Sequence, residues 1–326
     1  MNYIDHDGVL YTEQGTQDRL LSVLYTSRWG RCAVKLLAQP PVSELAGKLL
    51  DTGASRFLVG PFIRLNHMDM EPYVRTQPGE FTSYNDFFTR EIQKEKRPVD
   101  QNANHLIAPC DARVSVYPID GDRSFTVKHT RYTLRSLLHS RELARRYRGG
   151  YAIILRLCVT DYHRYIYPVT GVKSDNYRIP GIFHTVNPIA VERADAFKEN
   201  TREFTLIRNR EFGTILQMEV GALMVGRICN YHQAGEVRRG EEKGRFEFGG
   251  STVILLIEPG RARIREDLLR NTGDGCETQV WMGEAIGSVS SGYPNREIRW
   301  RCAGKGKRTW KRRRQMKGAN GYGTRQ

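Results

Sequence analysis

Residues 246–254 read FEFGGSTVI. Two glycines precede Ser251, and Thr252 leads into Val253, Ile254, Leu255, Leu256 and Ile257, an apolar run that reads as a buried strand. Glycine weakens a strand and has no side chain to pack. One reading of the pair is a β-bulge. The other is chemical. A serine hydroxyl can attack the carbonyl of the residue before it and turn the amide into an ester. Glycine tolerates strained backbone there and leaves the carbonyl uncrowded. Elimination from that ester would break the chain. The serine would pass through dehydroalanine and an imine to a pyruvoyl group at a new N-terminus. Such a carbonyl accepts the electrons released when a bound amine loses carbon dioxide, the role pyridoxal phosphate plays elsewhere. On GGST alone the bulge is the better reading, so the surrounding chain has to decide.

The 326 residues suffice for one large domain or two modest ones. A hydrophobic share of 39% with 27% charged residues suits a soluble globular chain, and no apolar run is long enough to cross a bilayer. The opening MNYIDHDGVLYTEQG carries acids and no apolar centre, so it does not read as a signal or transit peptide. Six scattered cysteines without CxxC spacing argue for reduced thiols in a cytoplasmic compartment and against a zinc site. The net charge of +15 is concentrated at one end. Residues 294–326 hold 12 Lys or Arg against the single acid Glu297, leaving 39 basic and 35 acidic side chains elsewhere. That segment lacks apolar periodicity and reads as a disordered basic tail.

The start of the chain reads as helical. Leu20, Leu21 and Leu24 recur at helical spacing, with Val34 and Leu37 beyond Arg28, Trp29 and Arg31. After the Pro40-Pro41 break, Ser43 reads as the N-cap of a helix carrying Leu45, Leu49 and Leu50, and Ser83 as the start of another bearing Tyr84, Phe87 and Phe88. Beyond Asp100 the period changes to two. Tyr151, Ile153, Leu155, Leu157 and Val159 alternate, Thr214–Val225 follows, and Phe246–Ile257 reads as one strand interrupted by its glycines. The expected class is α+β. A helical region over 1–100 precedes a β-rich, mainly antiparallel core over 101–293 and the tail over 294–326.

Seven stretches appear in a fixed order: YNDFFTREIQKEKRPVD (84–100), LIAPCDARV (106–114), VTDYHRYIYPVTG (159–171), FHTVNPIA (183–190), FKENTRE (197–203), VGRI (225–228) and FGGST (248–252). In this series the chain resembles the phosphatidylserine decarboxylases from about Pro40 to Gly287. The resemblance implies self-cleavage at Gly250–Ser251 into a β chain of residues 1–250 and an α chain headed by a pyruvoyl group made from Ser251. Gly249 stands where the family usually has leucine. Asp111 maps to an aspartate that, with a histidine and the serine, forms a triad like that of serine proteases. Read alone, Asp111 is a turn aspartate after Pro109. His163 matches the first histidine of the family motif; a core histidine is the bland reading. Many members carry a second histidine three positions later, where this chain has Ile166. His184, beside Thr185 and Asn187, is the candidate replacement, with a structural role the alternative.

The resemblance further implies phosphatidylserine in an anionic membrane as substrate, a homodimer, and work at the cytoplasmic face of a bacterial-type membrane without a transmembrane span. Arg28, Trp29, Arg31 and Lys35 read either as the solvated face of a core helix or as a helix lying against anionic headgroups. The missing histidine leaves room for a rival on the same scaffold, a decarboxylase of a free, for example aromatic, amino acid. A second rival is a nucleic-acid-binding protein, on the KRRR run with Trp300 and Trp310. The nearly balanced body and the lack of a reading module weigh against it.

Overall fold

The computed structural model describes residues 2–12, 45, 47–122, 124–127, 130–181, 200–221, 227–247 and 251–290. The first half carries β1 (Asn2–Ile4), β2 (Leu10–Thr12), β3 (His105–Ile107), β4 (Ala112–Pro118), β5 (Ser124–Val127), β6 (Thr130–Thr133), β7 (Tyr151–Leu157), β8 (Arg164–Ile166), β9 (Gly171–Lys173) and β10 (Tyr177–Ile179). The second half adds β11 (Arg202–Asn209), β12 (Gly213–Val220), β13 (Ile228–Asn230), β14 (Gly235–Val237), β15 (Glu242–Phe246), β16 (Ser251–Ile257), β17 (Ala262–Ile264), β18 (Glu277–Val280) and β19 (Ala285–Val289). The helices are short: α1 (Val59–Leu65), α2 (Tyr84–Phe88), α3 (Leu134–Leu138), α4 (Arg141–Arg146) and α5 (Glu266–Gly273). The class is α+β, as the change of period predicts.

One large sheet runs in the order β14-β9-β11-β12-β16-β7-β4-β18-β1-β2, with β10 joined to β11. Its pairs are antiparallel except β1 with β18. β12 and β16 are buried along their whole length, which is why STVILLI reads as an unbroken apolar run rather than an alternating one. Two three-stranded sheets, β13-β15-β8 and β17-β19-β3, and the β5-β6 hairpin complete the strands described.

The stretch 246–257 is not one strand. β15 ends at Phe246 in a three-stranded sheet, and β16 begins at Ser251 in the large one. Between Phe246 and Ser251 the chain therefore changes sheet, which local alternation cannot reveal. Other expectations fare as follows. Tyr151–Leu157 is a strand, and Ser83 caps α2 by accepting a hydrogen bond from the Asp86 amide at 3.1 Å. Ser43, residues 13–44 and the basic tail lie outside the described residues.

The segment ahead of β3 builds its own core. Val59, Tyr73, Phe81, Tyr84, Phe87, Phe88 and Ile92 pack with Ile107, Tyr162 and Ile166. Its outer side leaves Leu49, Phe57, Leu58 and Leu65 exposed, Phe57 at 82%. Residues 1–294 form one compact unit. Among the described residues, no helix is long and apolar enough to cross a membrane.

Candidate active site

Ser251 opens β16 in register with Leu157, the last residue of β7. The chain leaving β7 turns through residues 158–163, where the Cys158 amide donates to the Asp161 carboxylate at 2.7 Å. It returns as β8 beside β15, and the Phe246 amide donates to the His163 carbonyl at 2.9 Å. Asp111 directly precedes β4, the other neighbour of β7, and the Ile166 amide donates to the Pro109 carbonyl at 2.8 Å. Three sequence candidates thus gather at one end of β4, β7 and β16. Gly250 and His184 lie outside the described residues.

Ser251 is fully buried, and among the described residues its Oγ has no hydrogen-bond partner; neither has the buried Thr252 Oγ1. His163 is also fully buried, and its ring packs on Phe88 with centroids 4.0 Å apart. Its Nδ1 lies 2.9 Å from the Asp161 carbonyl, which can only accept. The neutral ring therefore carries its proton on Nδ1 and its lone pair on Nε2. That Nε2 is buried without a partner among the described residues. Burial, then the nearby Arg90 guanidinium, pushes the His163 pKa down to about 3, so the ring is neutral at physiological pH.

The Asp111 carboxylate is held by other groups. Arg97 donates to it from Nε at 2.8 and 3.0 Å and from Nη2 at 2.7 Å, and the Met282 amide adds a bond of 2.8 Å. Arg97 in turn lies 4.0 Å over the Trp281 ring, which stacks on His6. No hydrogen bond joins Asp111, His163 and Ser251 to one another. Burial of its carboxyl raises Asp161 to about 6, with Arg113 and the Cys158 amide opposing and the Asp111 charge adding to the rise.

Two arginines of the 84–100 stretch bind this site together. Arg97 holds Asp111. Arg90, almost fully buried, donates to the Thr160 carbonyl at 2.7 Å, the Asp161 carbonyl at 3.2 Å and the Tyr73 hydroxyl at 3.0 Å, which braces the turn carrying His163. Reading Tyr84, Phe87 and Phe88 as helix core is right but says nothing of these two arginines, which follow α2 in the chain. The available signal for Arg90 is a charge directly after a buried aromatic helix. Ile166, where a second histidine was sought, is an apolar member of the 59–92 core.

Among the described residues the arrangement offers a buried hydroxyl without a partner and a neutral imidazole with an unengaged lone pair. The missing partner of Ser251 Oγ fits a serine that is to become a pyruvoyl group rather than a structural hydroxyl.

A family model described as phosphatidylserine decarboxylase matches residues 84–288. The phosphatidylserine decarboxylase proenzyme 2 of Clostridium acetobutylicum is 38% identical over 282 residues, covering 86% of this chain and 96% of that protein. The proenzyme of Clostridium tetani is 37% identical over 278 residues, 84% and 93% of the two chains. That of Chlamydia felis is 36% identical over 292 residues, 88% and 97% of the two.

Proposed function

The chain belongs to the phosphatidylserine decarboxylase family, and on that premise we propose that it cuts itself at Gly250–Ser251 and then removes carbon dioxide from the serine headgroup of phosphatidylserine, leaving phosphatidylethanolamine. The observation that carries the reading is the buried, unbonded Ser251 hydroxyl at the head of β16, inside the matched stretch. Leaving such a group unpaired costs about 1–3 kcal/mol, and a nucleophile set beside the carbonyl it attacks accounts for that cost.

In maturation, His163 Nε2 takes the Ser251 Oγ proton. Oγ bonds to the Gly250 carbonyl carbon, the C–N bond breaks, and the freed nitrogen takes the proton from His163. Loss of the Ser251 α-proton then breaks the Cβ–Oγ bond, releasing the Gly250 carboxylate and leaving dehydroalanine. Its imine form adds water and loses ammonia. The products are a β chain of residues 1–250 and an α chain from 251 headed by pyruvoyl. That group supplies the carbonyl that holds the substrate amine and takes up the electrons of the departing carboxylate.

His163 is aimed by the Asp161 carbonyl, the contact that favours the protonated ring. Asp111 acts one step back: Arg97 fixes it, and its charge bears on Asp161. His184 delivers the proton to the substrate α-carbon after carbon dioxide leaves, the task a second histidine at 166 would share. The enzyme works as a homodimer at the cytoplasmic face of a bacterial-type membrane. The exposed Leu49, Phe57, Leu58 and Leu65 and the basic tail support a peripheral contact with anionic lipid.

Two measurements test the reading. Intact mass under denaturing conditions gives two chains divided between 250 and 251, the smaller one blocked to Edman degradation. Purified protein releases carbon dioxide from phosphatidylserine vesicles and not from free serine or an aromatic amino acid. An active preparation consisting of one unbroken chain overturns the proposal.

A further inference from the structure

Lys243 and Glu219 form an ion pair of 2.6 Å in which both side chains are fully buried. Lys243 Nζ also donates to Asn230 Oδ1 at 2.6 Å, and Asn230 Nδ2 donates to Glu203 at 3.0 Å. The Tyr165 hydroxyl reaches the same Asn230 oxygen at 3.3 Å. None of these groups belongs to the site as described. Lys243 stands in β15, Asn230 in β13 and Tyr165 in β8, whereas Glu219 and Glu203 stand in β12 and β11 of the large sheet. The ion pair therefore spans two sheets.

These are the two sheets that the chain crosses between at 247–250. β15 delivers the chain to that crossing, and β16 receives it at Ser251. Glu219 is in register with Val253, and Val220 with Thr252. Side chains alternate along a strand, so Ser251, Val253 and Glu219 share one face, with Glu219 two register positions along from Ser251. A second bond between the sheets lies beside it, from Gln217 Nε2 to the Ile166 carbonyl at 3.2 Å. Within the three-stranded sheet the strands beside Lys243 are tightly fitted: a Cβ built on Gly244 would fall 2.1 Å from the Cys229 carbonyl oxygen and 2.8 Å from the Tyr165 hydroxyl. Among the described residues, the buried Glu219 Oε1 has no partner.

A buried ion pair is a poor source of stability, because desolvation consumes most of its attraction and an apolar pair of equal volume serves as well. What it adds is a fixed orientation. We propose that Lys243 and Glu219, with Asn230, are positioning residues for self-cleavage: they hold β15 against β12, and so fix the two strands on either side of the Gly250–Ser251 bond. The inference rests on the self-cleavage reading above. Misplacing reacting atoms by about 1 Å costs roughly 10²-fold in rate, which sets the size of the effect.

The test uses full-length protein made by cell-free translation, with the appearance of two chains timed on denaturing gels and the melting temperature measured in a Ser251→Ala background. The double variant Glu219→Gln with Lys243→Met removes both charges at nearly constant volume. It is expected to melt within about 5 °C of the parent and to cleave roughly 10²-fold more slowly. Glu219→Asp, which keeps a carboxylate opposite Lys243, is expected to cleave within about threefold of the parent, a recovery that lost packing would not give. Cleavage of the double variant at the parental rate overturns the inference. So does loss of its cooperative melting transition, since the pair would then be a stabilising element. A parent that never cleaves sinks the self-cleavage reading instead.

Discussion

The two ends of β16 lie in the same buried strand and treat their polar neighbours in opposite ways. Past Ile257, the Glu258 carboxylate takes Arg146 at 3.1 Å and Arg261 at 3.8 Å, and Arg146 also donates to Thr214 at 2.9 Å. At the Ser251 end, Ser251 Oγ, Thr252 Oγ1, His163 Nε2 and Glu219 Oε1 are buried with no partner among the described residues. Each such atom costs about 1–3 kcal/mol in a folded chain. Stability alone would have placed partners at both ends. This fold gives up stability at the Ser251 end, where the unpaired groups include a serine hydroxyl and a neutral imidazole nitrogen.

The comparison can be broken most severely at Ser251. Ser251→Ala is expected to abolish chain separation and carbon dioxide release while melting no lower than the parent, because the lost hydroxyl makes no hydrogen bond. Mass spectrometry with calorimetry reads both outcomes. A variant that still yields two chains would move the scissile bond elsewhere.

Replacing His163 by Phe is expected to slow cleavage by roughly 10²–10⁴-fold. It also carries a pH signature, best measured in the uncleaved Ser251→Ala background. The folded ring has its pKa lowered to about 3, against about 6.5 in an unfolded chain. Below about 6.5 the unfolded state takes up a proton that the folded state refuses. The contribution of His163 is therefore whole above that pH and is lost as pH falls toward 3. Denaturant melts at stepped pH should show the stability of the parent relative to the phenylalanine variant falling over that range. A constant difference would mean the ring is not held neutral.

A smaller effect is expected at Asp111. Asp111→Ala strands a mostly buried Arg97 without its counter-charge, at a cost of about 3–5 kcal/mol in urea melts. It is expected to slow cleavage by roughly 10²-fold through the displaced turn. Unchanged cleavage in a variant that still folds would separate Asp111 from the reaction. The far end supplies the control. Glu258→Gln disturbs partly exposed pairs and is expected to cost under about 1 kcal/mol with cleavage unchanged.

Much of this was legible in the residues. The apolar run over Tyr151–Leu157 is a strand, although Ala152 to Leu157 are buried on both faces rather than alternately, and Ser83 caps a helix because its hydroxyl can reach the third amide beyond it. Pairing over long distances was not legible. β1 is three residues long and pairs in parallel with β18, more than 270 positions away, so no local pattern announces it. The crossing at 247–250 hides for the same reason, since a change of sheet leaves the apolar run on either side intact. In the site, the residue types at 111, 163 and 251 could be read, but their partners could not. That the Asp161 carbonyl aims His163, and that Arg97 occupies Asp111, depends on the turn at 158–163 and on a segment that packs from outside the large sheet.

The place of β16 in the large sheet has a last consequence, for reversibility. It lies between β12 and β7, and β18 lies between β1 and β4. In a chain cut before Ser251, the short piece would be interleaved with the long one, strand between strands, so severing one bond would not let them part. Once melted, however, the pieces would have to find each other by diffusion, each with edges and apolar faces exposed. The uncut chain should recover from urea and the mature one should not. Maturation would then erase the ability to refold, leaving an enzyme that lasts only as long as its first folding does.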